Sequence, residues 1–343
     1  MALPKVVSLF SGAGGLDLGF RNAGFQLAFA VDSSEWAVRT HKRNFPGTKS
    51  IAADLIQLQP SGVLSELEQA LSPGDPIGVV GGPPCQGFSR ANTQAHAEDP
   101  RNKLPLLYLD IVEALQEVYD VQFVLFENVL GIRDIKHEIS FNGILSKFRE
   151  LGFSEGVEEY CALDFGVPQN RRRVIISAFA SQSASKVFNP AKTERGELNV
   201  KSAIEGLPDP AFYSRAQRPE DNPHHPNHWT MRPLSKRFRT PDAGVQGGRS
   251  FRRLSWDKPS PTVAYGHREI HVHPDGARRL SIYEAMLLQG FPHDFVLEGP
   301  LSAQVEQVSN AVPPPLAEAL ARATKRALDH AHGSSRNSNE AAA

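Results

Sequence analysis

KVVSLFSGAGGLDLGF, residues 5–20, runs from a continuous apolar stretch into glycines at 12, 14, 15 and 19. An apolar run that ends in a glycine turn and then opens a helical pattern reads as the first βα unit of a sheet buried on both faces. Further short apolar runs lie at 26–31, 77–80, 123–126 and 174–179, with helix-like segments between them such as 104–118, apolar at 104, 107, 111, 115 and 118. This alternation predicts parallel βαβ units and an α/β fold. Such sheets bind ligands outside the carboxyl ends of their strands, so chemistry is sought in the segments that adjoin those ends.

The glycine loop allows a tight turn and close backbone approach to a ligand, and the helix that follows offers its N-terminal NH groups. It departs from the dinucleotide fingerprint, because Asp17 stands where the third glycine would be. Asp32 closes the second apolar run about 20 residues after the first glycine, where an acid accepts hydrogen bonds from ribose hydroxyls. A nucleoside without a pyrophosphate bridge fits this loop better than a dinucleotide. Asp54, in SIAADL, sits where a third strand would end. It serves equally as a helix cap before Leu55 or as the acceptor of an adenine amino group, and local sequence leaves both open.

The 343 residues exceed one ordinary domain, and two domains are expected. Two cysteines, 85 and 161, show no disulfide or zinc spacing. The start MALPKVVSLF has no charged region followed by a long apolar one, and no apolar run reaches roughly 18 residues, so a disulfide-free cytoplasmic protein without membrane association is expected. The formal charge of −1 hides an asymmetry: residues 181–280 hold 17 Lys and Arg against 10 Asp and Glu. That stretch is rich in Pro and His (DNPHHPNHWTMRPLSKRFRTPD) and weak in periodicity, so the architecture should change near residue 180. A basic, loop-rich module suits a polyanion, although a solvated basic surface has the same composition.

Six segments, FSGAGGLDLGF (10–20), GGPPCQGFS (81–89), FENV (126–129), QNRRR (169–173), LLQGFP (287–292) and SNAVPPPLA (309–317), together resemble the ordered motifs of the C5-cytosine DNA methyltransferases. The resemblance spans the chain except for about 183–250. It implies a Rossmann-like, S-adenosylmethionine-dependent large domain over 1–182 and a smaller, irregular DNA-recognition domain over 183–302. A C-terminal helix over 303–330 would return to the large domain, and the polar tail 331–343 is expected to be disordered. The resemblance further implies methylation of a flipped cytosine in a specific double-stranded sequence, by a monomer. It assigns the cofactor to Phe10, Ser11, Gly12, Gly14, Gly15, Asp32, Asp54, Leu55, Pro84, Asn310 and Ala311, with no metal. A cognate restriction endonuclease is not legible in the sequence.

The chemistry gives Cys85 a role. Carbon 5 of cytosine is a weak nucleophile until something adds to carbon 6 and turns the ring into an enamine, and a thiolate adds well. The Pro-Pro pair stiffens the approach to Cys85, while Gly87 and Ser89 open a polar loop to about Asn102 that would close over the substrate. Cys161, in EYCALDF, reads as a packing residue. The added electron density needs a partner at N3 and the exocyclic amine, a role for Glu127, whose protonated form a dry pocket would favour. Asn128 is expected to fix the loop by hydrogen bonds. In an extended QNRRR segment Arg171 and Arg173 point one way and Arg172 the other. By resemblance Arg173 contacts the cytosine carbonyl and orients Glu127, and Arg171 holds the active-site loop. The basic segment, with Arg232, Lys236, Arg237, Arg239, Arg249, Arg252 and Arg253, would grip phosphates and read groove edges.

Two positions depart from the family pattern: Tyr283 replaces a usual arginine in LSIYEAMLLQGFP, and Ser309 replaces a usual glycine before Asn310. The first bears on how the recognition region is organised, the second on a backbone angle. His224, His225 and His228 offer three imidazoles but no companion cysteine or carboxylate at a familiar metal spacing. Two rivals stand beside the DNA enzyme. A tRNA methyltransferase on the same scaffold is disfavoured by the missing Cys-Phe-Thr, and an inactive DNA-binding relative is disfavoured by the presence of both Cys85 and Glu127.

Overall fold

A computed structural model of the chain describes residues 2–84, 103–193, 196–214, 218–240, 251–262 and 271–341, with side chains to 334. Cys85, with 86–102, lies outside the described residues, as do Arg249 and the flanking 241–250.

The elements follow in the order β1 (Lys5–Leu9), α1 (Gly15–Asn22), β2 (Leu27–Asp32), α2 (Glu35–Asn44), β3 (Lys49–Ala52), α3 (Leu55–Leu67), β4 (Pro76–Gly81), α4 (Leu104–Gln116), β5 (Asp120–Asn128), α5 (Glu138–Glu150), β6 (Ser154–Cys161), β7 (Gln169–Asn170) and β8 (Arg172–Phe179). Beyond them come α6 (Gln182–Val187), α7 (Val200–Ile204), β9 (Ala211–Phe212), β10 (Trp229–Thr230), β11 (Ser260–Pro261), α8 (Ile282–Leu288), α9 (Leu301–Asn310) and α10 (Pro314–Ala341). One seven-stranded sheet, in the order β3-β2-β1-β4-β5-β8-β6, carries the fold.

Both faces of the sheet are covered at its centre, which is why β1, β2, β4, β5 and β8 are largely apolar, whereas the edge strand β6 carries glutamates. Alternate residues along each strand belong to opposite cores: Val6, Phe123 and Leu125 pack with α1 and α10 on one side, and Val7, Val124 and Phe126 with α3, α4 and α5 on the other. On the first side a Cβ on Gly19 would lie 2.3 Å from the Ala317 carbonyl carbon, so α10 approaches α1 as closely as backbone permits. The five apolar runs read from sequence are β1, β2, β4, β5 and β8, and the expected α/β sheet is present. One expectation fails: β8 runs antiparallel to both its neighbours, β5 and the unforeseen edge strand β6.

Among the described residues, the basic segment has no separate core of any size. Val200, Ile204, Trp229, Leu254 and Leu280 join the same cluster as Leu18, Phe20 and Leu320, and Phe251 with Val272 forms only a small satellite. The last helix continues through 331–341, where disorder was expected from composition.

Tyr283 is buried among the histidines of PHHPNHW. The His225 ring stacks on it (centroids 4.1 Å apart, planes at 18°), His224 and His228 meet it edge-on at 5.6 Å, and its hydroxyl pairs with His293 Nδ1. His228 bridges Ser281 Oγ (3.0 Å) and the Pro208 carbonyl (2.7 Å), so the imidazoles bind protein groups. This aromatic stack occupies the place of the usual arginine and joins the recognition segment to α8.

Burial pushes His225 and His271 down to about 4 and lowers His228 as well. A histidine whose folded pKa falls below the ordinary 6.5 takes its proton first in the unfolded chain. Stability is then full above pH 6.5 and falls as pH drops toward 4, by up to about 1.4 kcal/mol per such histidine per pH unit. Thermal unfolding followed by circular dichroism should show Tm decreasing between pH 7 and 5.5. A Tm that is flat or rises over this interval would contradict the buried neutral cluster.

Candidate active site

The strand order reverses between β1 and β4, and the crevice outside their carboxyl ends is where such a sheet takes a ligand. A cleft of about 550 Å³ opens there. Phe10, Ser11, Gly12 and Gly15 come to it from the turn after β1, Asp32 from the end of β2, Asp54 and Leu55 from the start of α3, Pro84 from beyond β4, and Asn310 and Ala311 from the end of α9. Glu127 and Arg173 close its far side.

The glycine loop is built from positive φ angles at Phe10 (54°), Gly12 (54°) and Gly14 (89°). A phenylalanine in that region stores of order 1–3 kcal/mol of strain, held here where the cleft needs its ring. Gly12 N donates to Asp32 Oδ2 (2.8 Å) and Ser34 N to Asp32 Oδ1 (2.8 Å), so one carboxylate latches the loop to the end of β2. Burial moves the Asp32 carboxyl above its ordinary range, opposed by the two NH donors. Asp54 caps α3, accepting from Ile56 N at 2.9 Å, and also lines the cleft.

Gly14 is the exception among the loop residues. It does not line the cleft; a Cβ there would lie 2.4 Å from Phe45 Cε2, because the loop's back rests on α2. Beneath it lies a fully buried pair that sequence reasoning missed: Asp17 Oδ2 is 3.0 Å from His41 Nε2, and His41 Nδ1 is 2.8 Å from Ser50 Oγ. No local pattern announces a partnership across 24 residues. Also unforeseen are Ser8, which faces the cleft from inside β1, and the α9 residues Ala303, Glu306 and Gln307.

The antiparallel course of β8 decides the other end. Register pairs Glu127 with Ile175 and Asn128 with Val174, which carries Arg173, at the amino end of β8, to the carboxyl edge of β5. Arg173 Nε lies 2.8 Å from Glu127 Oε1, with side chains 13% and 12% exposed. Glu127 therefore faces a guanidinium rather than a dry apolar wall. Arg172 points away to Glu159 at 2.7 Å. Arg171 is fully buried behind the cleft and donates to the Ser309 carbonyl at 2.9 Å. Ser309 lies within α9 and its hydroxyl bonds the Val305 carbonyl at 2.7 Å, so the departure from glycine leaves an ordinary helical residue. Asn128 Nδ2 donates to the Pro83 carbonyl (3.3 Å) and Asn128 Oδ1 accepts from Val129 N (2.8 Å), tying β5 to the segment that leads to Cys85. Cys161 is a buried free thiol whose Sγ lies 3.5 Å from Asn170 Oδ1.

The residues present fit a nucleoside cofactor. The Ser8 and Ser11 hydroxyls are buried at the cleft without a partner among the described residues. A Cβ on Gly15 would meet the Val312 carbonyl oxygen at 2.3 Å, so nothing larger keeps the opening of α1 against α9 and α10. The volume is that of a small-molecule site.

Residues 4–326 match the family described as C-5 cytosine-specific DNA methylase. Among curated relatives the chain is 33% identical to the type II methyltransferase M.MthTI of Methanothermobacter thermautotrophicus, covering 94% of this chain and 98% of that protein. It is 32% identical to M1.HphI of Haemophilus parahaemolyticus, covering 92% and 85%. Among solved structures, a candidate DNA modification methyltransferase from an Escherichia coli prophage superposes with a TM-score of 0.75 at 26% identity, over 95% of this chain and all of that one. DNMT2 of Spodoptera frugiperda, 19% identical with a TM-score of 0.64 over 94% of this chain and 100% of its own, shares the fold. The chain thus belongs to the C-5 cytosine-specific DNA methylase family.

Proposed function

We propose that the protein transfers a methyl group from S-adenosylmethionine to carbon 5 of a cytosine flipped out of a specific double-stranded DNA sequence. The observation that carries this reading is one cleft that holds a nucleoside-type pocket at β1–β2 and the Glu127–Arg173 pair at β5–β8, in a chain of this family. The bound cofactor supplies an electrophilic methyl group on sulfonium. Enzymes that act on a base within a duplex, methyltransferases among them, extrude it at a cost of roughly a few kcal/mol.

In this reading the Cys85 thiolate adds to carbon 6, and Glu127 and Arg173 hold the base and carry the charge pushed onto N3 and the carbonyl. Carbon 5 then takes the methyl, loses its proton, and the carbon–sulfur bond breaks to return the thiolate. Arg171 acts at a distance, holding the start of β8 on α9. The relatives named as type II methyltransferases support a place in restriction-modification. Among the described residues no helix is long and apolar enough to cross a membrane. Incubating the full chain with labelled S-adenosylmethionine and duplex DNA, then sequencing 5-methylcytosine base by base, tests the reaction and identifies the site. Label in tRNA and none in DNA would transfer the reading to the tRNA rival.

Asp32 is the first residue to test for the cofactor. Removing a charged acceptor costs about 1.5–3 kcal/mol, and here Asp32→Ala also frees the Gly12 and Ser34 amides it holds. Calorimetry should show S-adenosylmethionine binding weakened by about that amount while DNA affinity changes little. Unaltered cofactor affinity in the folded variant would count against this placement.

A further inference from the structure

Across the cleft from Asp32 stands a carboxylate that no motif announces. Glu306 projects from α9 into the cleft wall that faces the end of β2, near enough for its charge to act on the Asp32 carboxyl. It has no hydrogen bond or ion pair among the described residues, although exposed glutamates elsewhere, such as Glu35 with Arg39 and Glu113 with Lys147, have found cations. Its backbone is not free to drift. Gln307, next to it, accepts from Thr40 Oγ1 (2.6 Å) and donates to the Glu298 carbonyl (2.9 Å), and Gln304 accepts from Trp229 Nε1 (2.8 Å).

The charge around it is one-sided. Among the described residues, the acids lining the cleft are Asp32, Asp54, Glu127 and Glu306, and the one cation lining it, Arg173, is taken by Glu127. Such a cleft repels a phosphate and favours a ligand that brings hydrogen-bond donors. Asp32 and Glu306 line the same cleft closely enough for their charges to repel, and further hydrogen-bond donors between them would relieve that repulsion. A vicinal diol presents two O–H donors side by side and satisfies both walls at once. Each carboxylate oxygen has more than one acceptor direction, so Asp32 takes a hydroxyl while keeping its Gly12 and Ser34 amides.

We propose that Glu306 is a second acceptor for the ribose diol of the cofactor, so that Asp32 and Glu306 divide the two hydroxyls between opposite walls of the cleft. This rests on the nucleoside-cofactor reading above and adds a residue to it. Closing the sugar between β2 and α9 makes α9 part of the binding site, and with it the segments anchored to α9 through Trp229 and Thr40.

The test is calorimetry on the full chain with S-adenosylmethionine, S-adenosylhomocysteine, and S-adenosylhomocysteine analogues lacking the 2′ or the 3′ hydroxyl. Glu306→Ala should weaken the first two ligands alike, by about 5- to 20-fold, less than a buried hydrogen bond to a charged acceptor would cost because Glu306 stands at a solvated rim. Glu306→Gln, which keeps an acceptor oxygen, should lose less. The alanine penalty should fall below about 2-fold on one of the deoxy analogues, because the hydroxyl that Glu306 receives is already gone. Equal penalties on all four ligands would overturn the inference. A penalty confined to S-adenosylmethionine would also overturn it, showing attraction to the sulfonium charge in place of the diol. If the unaltered protein bound neither cofactor nor product, the nucleoside reading itself would fall, an outcome distinct from a silent Glu306.

Discussion

Cys85→Ala should abolish methyl transfer while leaving S-adenosylmethionine binding intact, the largest loss expected of any single substitution in this chain. In the proposed mechanism the thiol acts on the base and not on the methyl donor, so the two properties should separate. The described chain leads to it through a well-held approach. β4 ends at Gly81, Gly82 packs so closely on Glu127 that a Cβ would lie 2.6 Å from Oε2, Asn128 grips the Pro83 carbonyl, and Pro84 lines the cleft. In the proposed mechanism turnover ends with loss of the carbon 5 proton, and fluorine at that position cannot leave as a cation. A duplex carrying 5-fluorocytosine at the target site should therefore give a denaturation-resistant protein–DNA adduct that requires S-adenosylmethionine and maps to the Cys85 peptide. Cys161→Ala should retain both activities, since its thiol is buried beside Asn170 away from the cleft. An adduct at Cys161, or methylation by the Cys85→Ala protein, would remove the covalent mechanism.

The sequence made the sheet legible where burial on both faces left a strand without polar positions. Lys5–Leu9, Leu27–Asp32, Pro76–Gly81 and Asp120–Asn128 show this, with polar residues mostly at their ends and Ser8 and Gln122 the internal exceptions. β6, SEGVEEYC, lies at the sheet's edge beyond β8 and carries glutamates, so no apolar run marked it. Strand direction was not legible for β8, because a doubly buried strand reads the same either way. That hidden fact matters most for the site, since only the reversed course brings Arg173 to Glu127. Alternation within QNRRR, by contrast, separated Arg172 from its neighbours on the strength of strand geometry alone. Glycine spacing located the loop but not which glycine touches the cleft; Gly14 turns its back to it. Of the α9 contributions Asn310 was read from its motif, while Ala303, Glu306 and Gln307 were out of reach, because only the fold brings them to the cleft that Asp32 also lines. The Tyr283 departure and the histidines of PHHPNHW were visible as separate oddities, and the packing of His224, His225 and His228 against the Tyr283 ring joins them.

The ion pair at the far end of the cleft should behave as a unit. Glu127→Gln keeps size and a hydrogen-bond acceptor but loses the charge that holds Arg173, and a general acid–base group of this kind contributes about 10²–10⁴-fold to turnover. Arg173→Ala strips the guanidinium from a carboxylate that is 12% exposed, leaving a largely buried charge with its main partner gone. Both single variants should lose kcat in that range while S-adenosylmethionine affinity stays near the parent value, because the pair sits across the cleft from Asp32. The double variant should be little worse than the poorer single one, since residues that act together do not add. Arg173→Lys should recover only part of the loss, because a point charge on a flexible stem does not reproduce a planar fork that addresses the base and Glu127 together. Arg172→Ala is the internal control: it faces Glu159 with a side chain 56% exposed, and it should change kcat by less than about 2-fold, as expected for a surface ion pair. Initial rates of labelled methyl transfer on a duplex containing the target site, with saturating cofactor, read all five proteins on one scale. If Arg172→Ala were as damaging as Arg173→Ala, or if the losses of Glu127→Gln and Arg173→Ala multiplied in the double variant, the two residues would not be one catalytic pair.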